Sequence, residues 1–145
     1  MAGTHALGGF VTAQTLTVTL TVAQVEEANG VLATIAVPNK ATILDVILTV
    51  DDMDSSTGLT IDVGDDSGPS TSDDNRFIAA FTGQAAGNIR ASDSAGLLEG
   101  TYTYRNLAGT DDAQIEQEIE VTVAAVATTG VTGDLTLTVI YFVSQ

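Results

Sequence analysis

The segment Thr15 to Val22 reads TLTVTLTV, and its alternation is unbroken. Leu16, Val18, Leu20 and Val22 fall on one side, and Thr15, Thr17, Thr19 and Thr21 on the other. A period of two, filled with β-branched side chains, fits a pleated strand with one face buried. The run near the other terminus, Leu135 to Val143 (LTLTVIYFV), repeats the Thr pattern. That echo predicts terminal strands of similar placement. It is not an internal repeat, because no fixed period links the segments between them.

The intervening chain is punctuated in the same style. Val31 to Val37 is a strand signal stopped by Pro38, and Asn29-Gly30 and Pro38-Asn39-Lys40 are turns. Ile43 to Val50 is apolar on both sides apart from Asp45 and Thr49. That pattern predicts a central strand covered twice, or one whose mixed face, carrying Ile43 and Ile47, meets a neighbouring subunit. Leu59, Ile61 and Val63 alternate with Thr60 and Asp62. In Arg76 to Phe81 the spacing of Phe77 and Phe81 suits a short helical turn, and a strand suits it nearly as well. Tyr102 and Tyr104 would share one face of a short strand. Ile115 to Val123 fits both periods, and its β-branched density favours a strand. No stretch predicts a long helix. The expected fold is all-β: an antiparallel β-sandwich or jelly roll of roughly seven to nine strands, with at most a short helical turn.

Residues 1–13 are small, Gly-containing and aperiodic, with Leu7, Phe10 and Val11 as apolar anchors. They read either as a frayed terminus or as an arm that orders on a partner surface. A single β-sandwich domain would occupy residues 14–145.

Charge narrows the function classes. Nineteen acidic and four basic side chains give a formal net charge of -15, and the basic residues Lys40, Arg76, Arg90 and Arg105 are scattered. Nucleic acid needs clustered cations to neutralise phosphates, so it is not an expected partner. Anionic membrane surfaces are disfavoured for the same reason, and no apolar run approaches the roughly 20 residues of a membrane span. The first residues lack the basic and apolar regions of a signal peptide, which predicts synthesis in a cytoplasm.

Catalysis finds little to work with. Cysteine and tryptophan are absent, and the one histidine, His5, lies in the terminal segment. No GxSxG, P-loop or GxGxxG is present. Adjacent carboxylates recur, but a glycosidase also needs a cleft and commonly aromatic platforms, and aromatics are 5% of the chain. Calcium is the better rival: Asp51, Asp52 and Asp54 form one candidate group, and Asp65, Asp66, Asp73 and Asp74 another. Neither matches the EF-hand spacing, and both also read as solvated turns. Arg76 is expected to pair with a carboxylate, Asp62 being the candidate across the loop.

Three runs, DVILTVDDMD (Asp45 to Asp54), LTIDVGD (Leu59 to Asp65) and DDNRFI (Asp73 to Ile78), together with the ending GDLTLTVIY (Gly133 to Tyr141), carry a resemblance. The chain resembles the head decoration, or cement, proteins and related small structural proteins of tailed bacteriophages. The resemblance implies a β-sandwich or jelly-roll homotrimer on the outer capsid surface of a virion, bridging major capsid protein subunits around packaged DNA. It implies no catalytic residue and no cofactor. In that setting Leu7, Phe10 and Val11 become candidate capsid contacts, and Ile43 and Ile47 candidate subunit-interface residues. The alternatives are a tail or baseplate component, a host-surface binder, or a calcium-stabilised adhesin module.

Overall fold

In the computed structural model the described residues are 10–38, 41–65, 73–93, 102–103 and 117–143. They form nine strands and one short helix: β1 (Val11–Leu20), α1 (Val22–Val25), β2 (Val31–Val37), β3 (Ala41–Val50), β4 (Thr60–Asp65), β5 (Asp73–Thr82), β6 (Gly87–Arg90), β7 (Tyr102–Thr103), β8 (Gln117–Ala125) and β9 (Gly133–Val143). A 3-10 turn, Ala91–Asp93, follows β6.

One sheet has the order β1-β9-β3-β6, with β7 also on β3; the other has the order β2-β8-β4-β5. All pairings are antiparallel. The pairs β1:β9, β2:β8, β3:β6 and β4:β5 run from the ends of the chain inward, so the fold is a long two-stranded ribbon rolled on itself. With β7 set aside, this strand order is that of a jelly roll. The Thr echo has its physical cause here: β1 and β9 pair over ten consecutive residues, and Thr15 and Thr17 meet Thr138 and Thr136 through their hydroxyls at 3.0 and 2.8 Å.

The core lies between the sheets. Leu20, Leu135, Leu137, Val139, Val46 and Leu48 come from the first sheet, and Ile61, Val63, Phe77, Ile119 and Val121 from the second. Each is buried because alternate side chains of a strand face one layer. No buried side-chain nitrogen or oxygen among the described residues lacks a hydrogen-bond partner.

Several expectations are corrected. The helical turn lies at Val22–Val25, where Gln24 Oε1 accepts from the Thr21 N–H and hydroxyl, each at 3.0 Å. Phe77 and Phe81 belong to strand β5 instead. The register of β5 slips against β4, and Ala80 takes φ 51°, so Phe77 and Ile78 are both buried although they are neighbours. The ambiguous segment is strand β8. Strand β1 begins at Val11, so residues 11–13, assigned to the arm, are paired with β9.

The largest correction concerns β3. Its register against β9 shifts between Ile43 and Asp45, which makes Leu44 an extra residue. Ile43 therefore faces inward with Val46, Leu48 and Val50, and it is fully buried in the chain's own core. Ile47 lies on the opposite, outer face and is half-buried. The two residues do not share a face, because a bulge inverts the parity on which that expectation stood.

Candidate assembly interface

The outer faces of the two sheets differ in charge. On the first sheet, β1 contributes Val11, Ala13, Thr15, Thr17 and Thr19, and β9 sets Phe142, Ile140, Thr138, Thr136 and Asp134 directly beside them. Ile47 and Thr49 of β3 continue the rows beside Thr138 and Thr136. Charge enters at Asp134, whose Oδ1 accepts from the Thr19 hydroxyl at 2.6 Å, and at one ion pair on the far side. On the second sheet, the outer positions of β8 and β4 include Glu118, Glu120 and Asp62. The second face is acidic, and the first is largely hydroxyl and aliphatic.

The apolar end of the first face is at Val11 and Phe142. Phe10 is 86% exposed and Val11 64% exposed, the two most exposed large apolar side chains among the described residues. Both expected capsid contacts that can be described thus present their side chains to solvent, next to Ile140 and Phe142, which are half-buried. Leu7 lies outside the described residues.

The ion pair on this sheet is built on the β3 bulge. Asp45 Oδ1 accepts from the Val46 N–H at 2.9 Å and the Ser92 N–H at 3.2 Å. Its Oδ2 accepts from the Ser92 hydroxyl at 3.2 Å and lies 3.3 Å from Arg90 Nε. A bulge frees backbone donors, and this carboxylate takes up the one beside it while tying β3 to β6. Sequence reasoning read Asp45 only as an interruption in an apolar run. An Asp in the middle of a strand with an Arg later in the chain was the available signal.

The calcium candidates separate. Asp51, Asp52 and Asp54 follow β3 at one end of the sandwich, and Asp65 ends β4 at the other. Asp51 Oδ2 accepts from the Asp134 N–H at 2.8 Å. Asp52 Oδ1 accepts from the Asp54 N–H at 3.4 Å. Asp54 is 1% exposed and accepts four backbone donors: Ser56 and Thr129 on Oδ1, both at 3.1 Å, and Leu59 and Thr128 on Oδ2, at 3.0 and 3.3 Å. Desolvation pushes this carboxyl up, but the four N–H donors (Leu59, Thr129, Ser56 and Thr128) outweigh it and hold the group below its ordinary value. A carboxylate ringed by N–H donors suits a turn it organises and presents positive dipoles, the wrong sign for holding a cation.

Asp65 is buried and bonded to Arg76: Nε donates to Oδ2 at 2.7 Å. The expected partner Asp62 instead accepts the Ala80 N–H on Oδ1 at 2.6 Å. The slipped register explains the exchange, since it carries Asp62 opposite the bulge and Arg76 toward the end of β4. Asp66 and the side chains of Asp73 and Asp74 lie outside the described residues. Among the described residues, no three His, Cys, Asp or Glu side chains come together as metal ligands would. Tyr104 and His5 are also outside them, and no helix among them is long and apolar enough to cross a membrane.

No protein-family model matches the sequence, and no curated protein matches it. Solved structures do. The chain is similar to a chain in the capsid of Ralstonia phage GP4, at 26% identity and a TM-score of 0.65, over 100% of this chain and 92% of that one. It is similar to a chain of the cyanophage Pam1 capsid asymmetric unit, at 21% identity and a TM-score of 0.63, over 99% and 91% of the two chains. A third likeness, at 17% identity and a TM-score of 0.57 over 92% and 89%, is to a chain of the acidic stable capsid structure of Helicobacter pylori bacteriophage KHP30. The rolled two-sheet fold described above is thus shared, nearly end to end, with chains of three phage capsids, and these likenesses support a structural protein of a phage particle.

Proposed function

We propose that this chain is a non-enzymatic virion protein that decorates the outside of a phage capsid and cements neighbouring major capsid protein subunits. The observation that carries this reading is the whole-chain likeness to a chain in the GP4 capsid. Nearly all of one chain matches nearly all of the other, so the resemblance is to a small separate polypeptide in a particle, not to one domain of a longer shell subunit. The geometry fits such a role. The fold presents one largely uncharged face for contact and one acidic face for solvent, and Asp51 and Asp54 hold loops together. Weak contacts repeated at every equivalent position would add up over the shell.

The test is stoichiometry and particle strength together. Quantitative mass spectrometry of purified particles should give a ratio to the major capsid protein that is a simple fraction set by shell symmetry. Particles lacking this protein should lose DNA at a lower temperature than complete ones. A few copies per particle would assign it to the tail or a vertex, and none would remove the virion reading.

A further inference from the structure

The two sides of the sandwich are closed differently. On one side the outermost strands are β6, a four-residue strand carrying Arg90, and β5, which contains Asp73, Asp74 and Arg76 and slips register twice. Short length, charge and bulges are the usual means by which proteins keep a sheet edge from pairing with another chain. On the other side the outermost strands are β1 and β2, stacked over each other and linked where Gln14 Nε2 donates to Ala36 O at 3.3 Å and to Tyr141 Oη at 2.7 Å. Their ten and seven residues include no charged side chain and no proline. In a chain that is 16% charged, such a stretch would by composition carry two or three.

Strand β1 is the more open of the pair. It pairs with β9 through ten residues without a bulge, and among the described residues nothing pairs with its second edge. Its inward side chains Leu16 and Val18 are only half-buried, whereas Leu20, Leu137 and Val139 on the same layer are fully covered. Among the described residues the layer is unfinished at this margin. A long, flat, uncharged edge with half-covered apolar side chains is a template for one more strand.

We propose that the edge of β1 left unpaired among the described residues is a docking strand, filled in the particle by an extended segment of the shell protein that joins the first sheet. This rests on the decoration reading above and names its contact. The segment would be neutral or basic, with apolar side chains covering Leu16 and Val18 and small polar ones continuing the Thr15, Thr17 and Thr19 row. Charge selects this occupant over a second copy of the chain. Pairing β1 with β1 sets two molecules of net charge -15 against each other, whereas a neutral or basic segment meets no such repulsion.

Hydrogen exchange tests the proposal residue by residue. Full-length protein is compared free and after rebinding to particles stripped of it. In the free protein, alternate amides between Thr12 and Thr19, those aimed at β9, should be protected and the rest should exchange. On the particle the second set should become protected as well. The double variant Thr15→Lys with Thr17→Lys gives up two exposed hydroxyl pairs with β9, so it should melt a few degrees lower but stay folded, and bind particles about tenfold more weakly. Binding with β1 exchange unchanged would overturn the proposal and leave decoration standing. Failure to bind stripped particles at all would remove the decoration reading and this one with it. Concentration-dependent self-association of the free protein, with the second set of amides already protected, would assign the edge to another copy and overturn it too.

Discussion

Asp54 and Thr129 stand 75 residues apart and are joined by a hydrogen bond, the Thr129 N–H donating to Asp54 Oδ1 at 3.1 Å. With the Thr128 donor beside it, this bond fastens the loop after β3 to the loop before β9. The folded-state pKa of Asp54 is depressed below its ordinary 3.8. The stability this provides is therefore complete above about pH 4 and is lost as pH falls through the lower folded value. Asp54→Asn should be less stable than the parent at neutral pH, because an amide nitrogen would face N–H donors. The gap between the two urea midpoints should close below about pH 4 as the parent itself is protonated. A gap independent of pH would show that ionisation of Asp54 is not what holds these loops.

Arg76 and Asp65 make the second test. The Asp65 side chain is fully buried and the Arg76 side chain 22% exposed. Removing the cation takes the counter-charge from a buried carboxylate, so Arg76→Met should cost about 3 kcal/mol by chemical denaturation. Adding Asp65→Asn to that variant should recover part of the loss. Additive losses in the double variant would argue against coupling between the two side chains.

Ala80 holds φ 51°, a left-handed conformation that strains any residue with a Cβ. The bulge that requires it is pinned by the Ala80 N–H donating to Asp62. Ala80→Gly should raise stability by roughly 0.5–1 kcal/mol, the strain relief exceeding the added freedom of the unfolded chain. Asp62→Ala should lower it by about 1 kcal/mol. An Ala80→Gly variant with a lower unfolding midpoint would contradict the strain argument.

Ile43 and Ile47 separate core from surface. Ile43→Ala should cost about 2–5 kcal/mol, as expected of an aliphatic side chain removed from a sealed core. Ile47→Ala should cost about 1 kcal/mol or less in the isolated protein, since its face is open. Equal losses would mean that the bulge at Leu44 does not persist in solution.

The alternation of Thr15 to Val22 and Leu135 to Val143 made the two terminal strands legible, and their shared Thr rows pointed to similar placement, though not to their direct pairing. The turns at Asn29-Gly30 and Asp51 to Gly58 were equally plain, because Gly, Asn and Asp punctuate chains for local reasons. What escaped was register. A bulge is one extra residue, costs no change in composition, and reverses every later side chain. It moved Ile43 inward and gave Asp65, not Asp62, to Arg76. The acidic residues misled in another way. A run such as Asp51, Asp52 and Asp54 looks identical whether its oxygens will meet a cation or backbone N–H groups, and the path of its own turn together with that of residues 128–134 decides. The phage resemblance rested on pattern, while the neutral side formed by β1 and β2 required knowing which strands end up outermost.

Strand β9 lies between β1 and β3, so the sheet's interior position is filled by a stretch that leaves the ribosome after the other described strands. Until β9 emerges, β1 lacks its one neighbour among the described strands, and β3 is missing a partner along nine of its residues. Folding of that layer thus waits on the completed strand, and long-range pairing of this kind is slow. A nascent or prematurely terminated chain lacks the piece that seals the layer and remains a substrate for proteolysis. Only chains translated through β9 complete the first sheet.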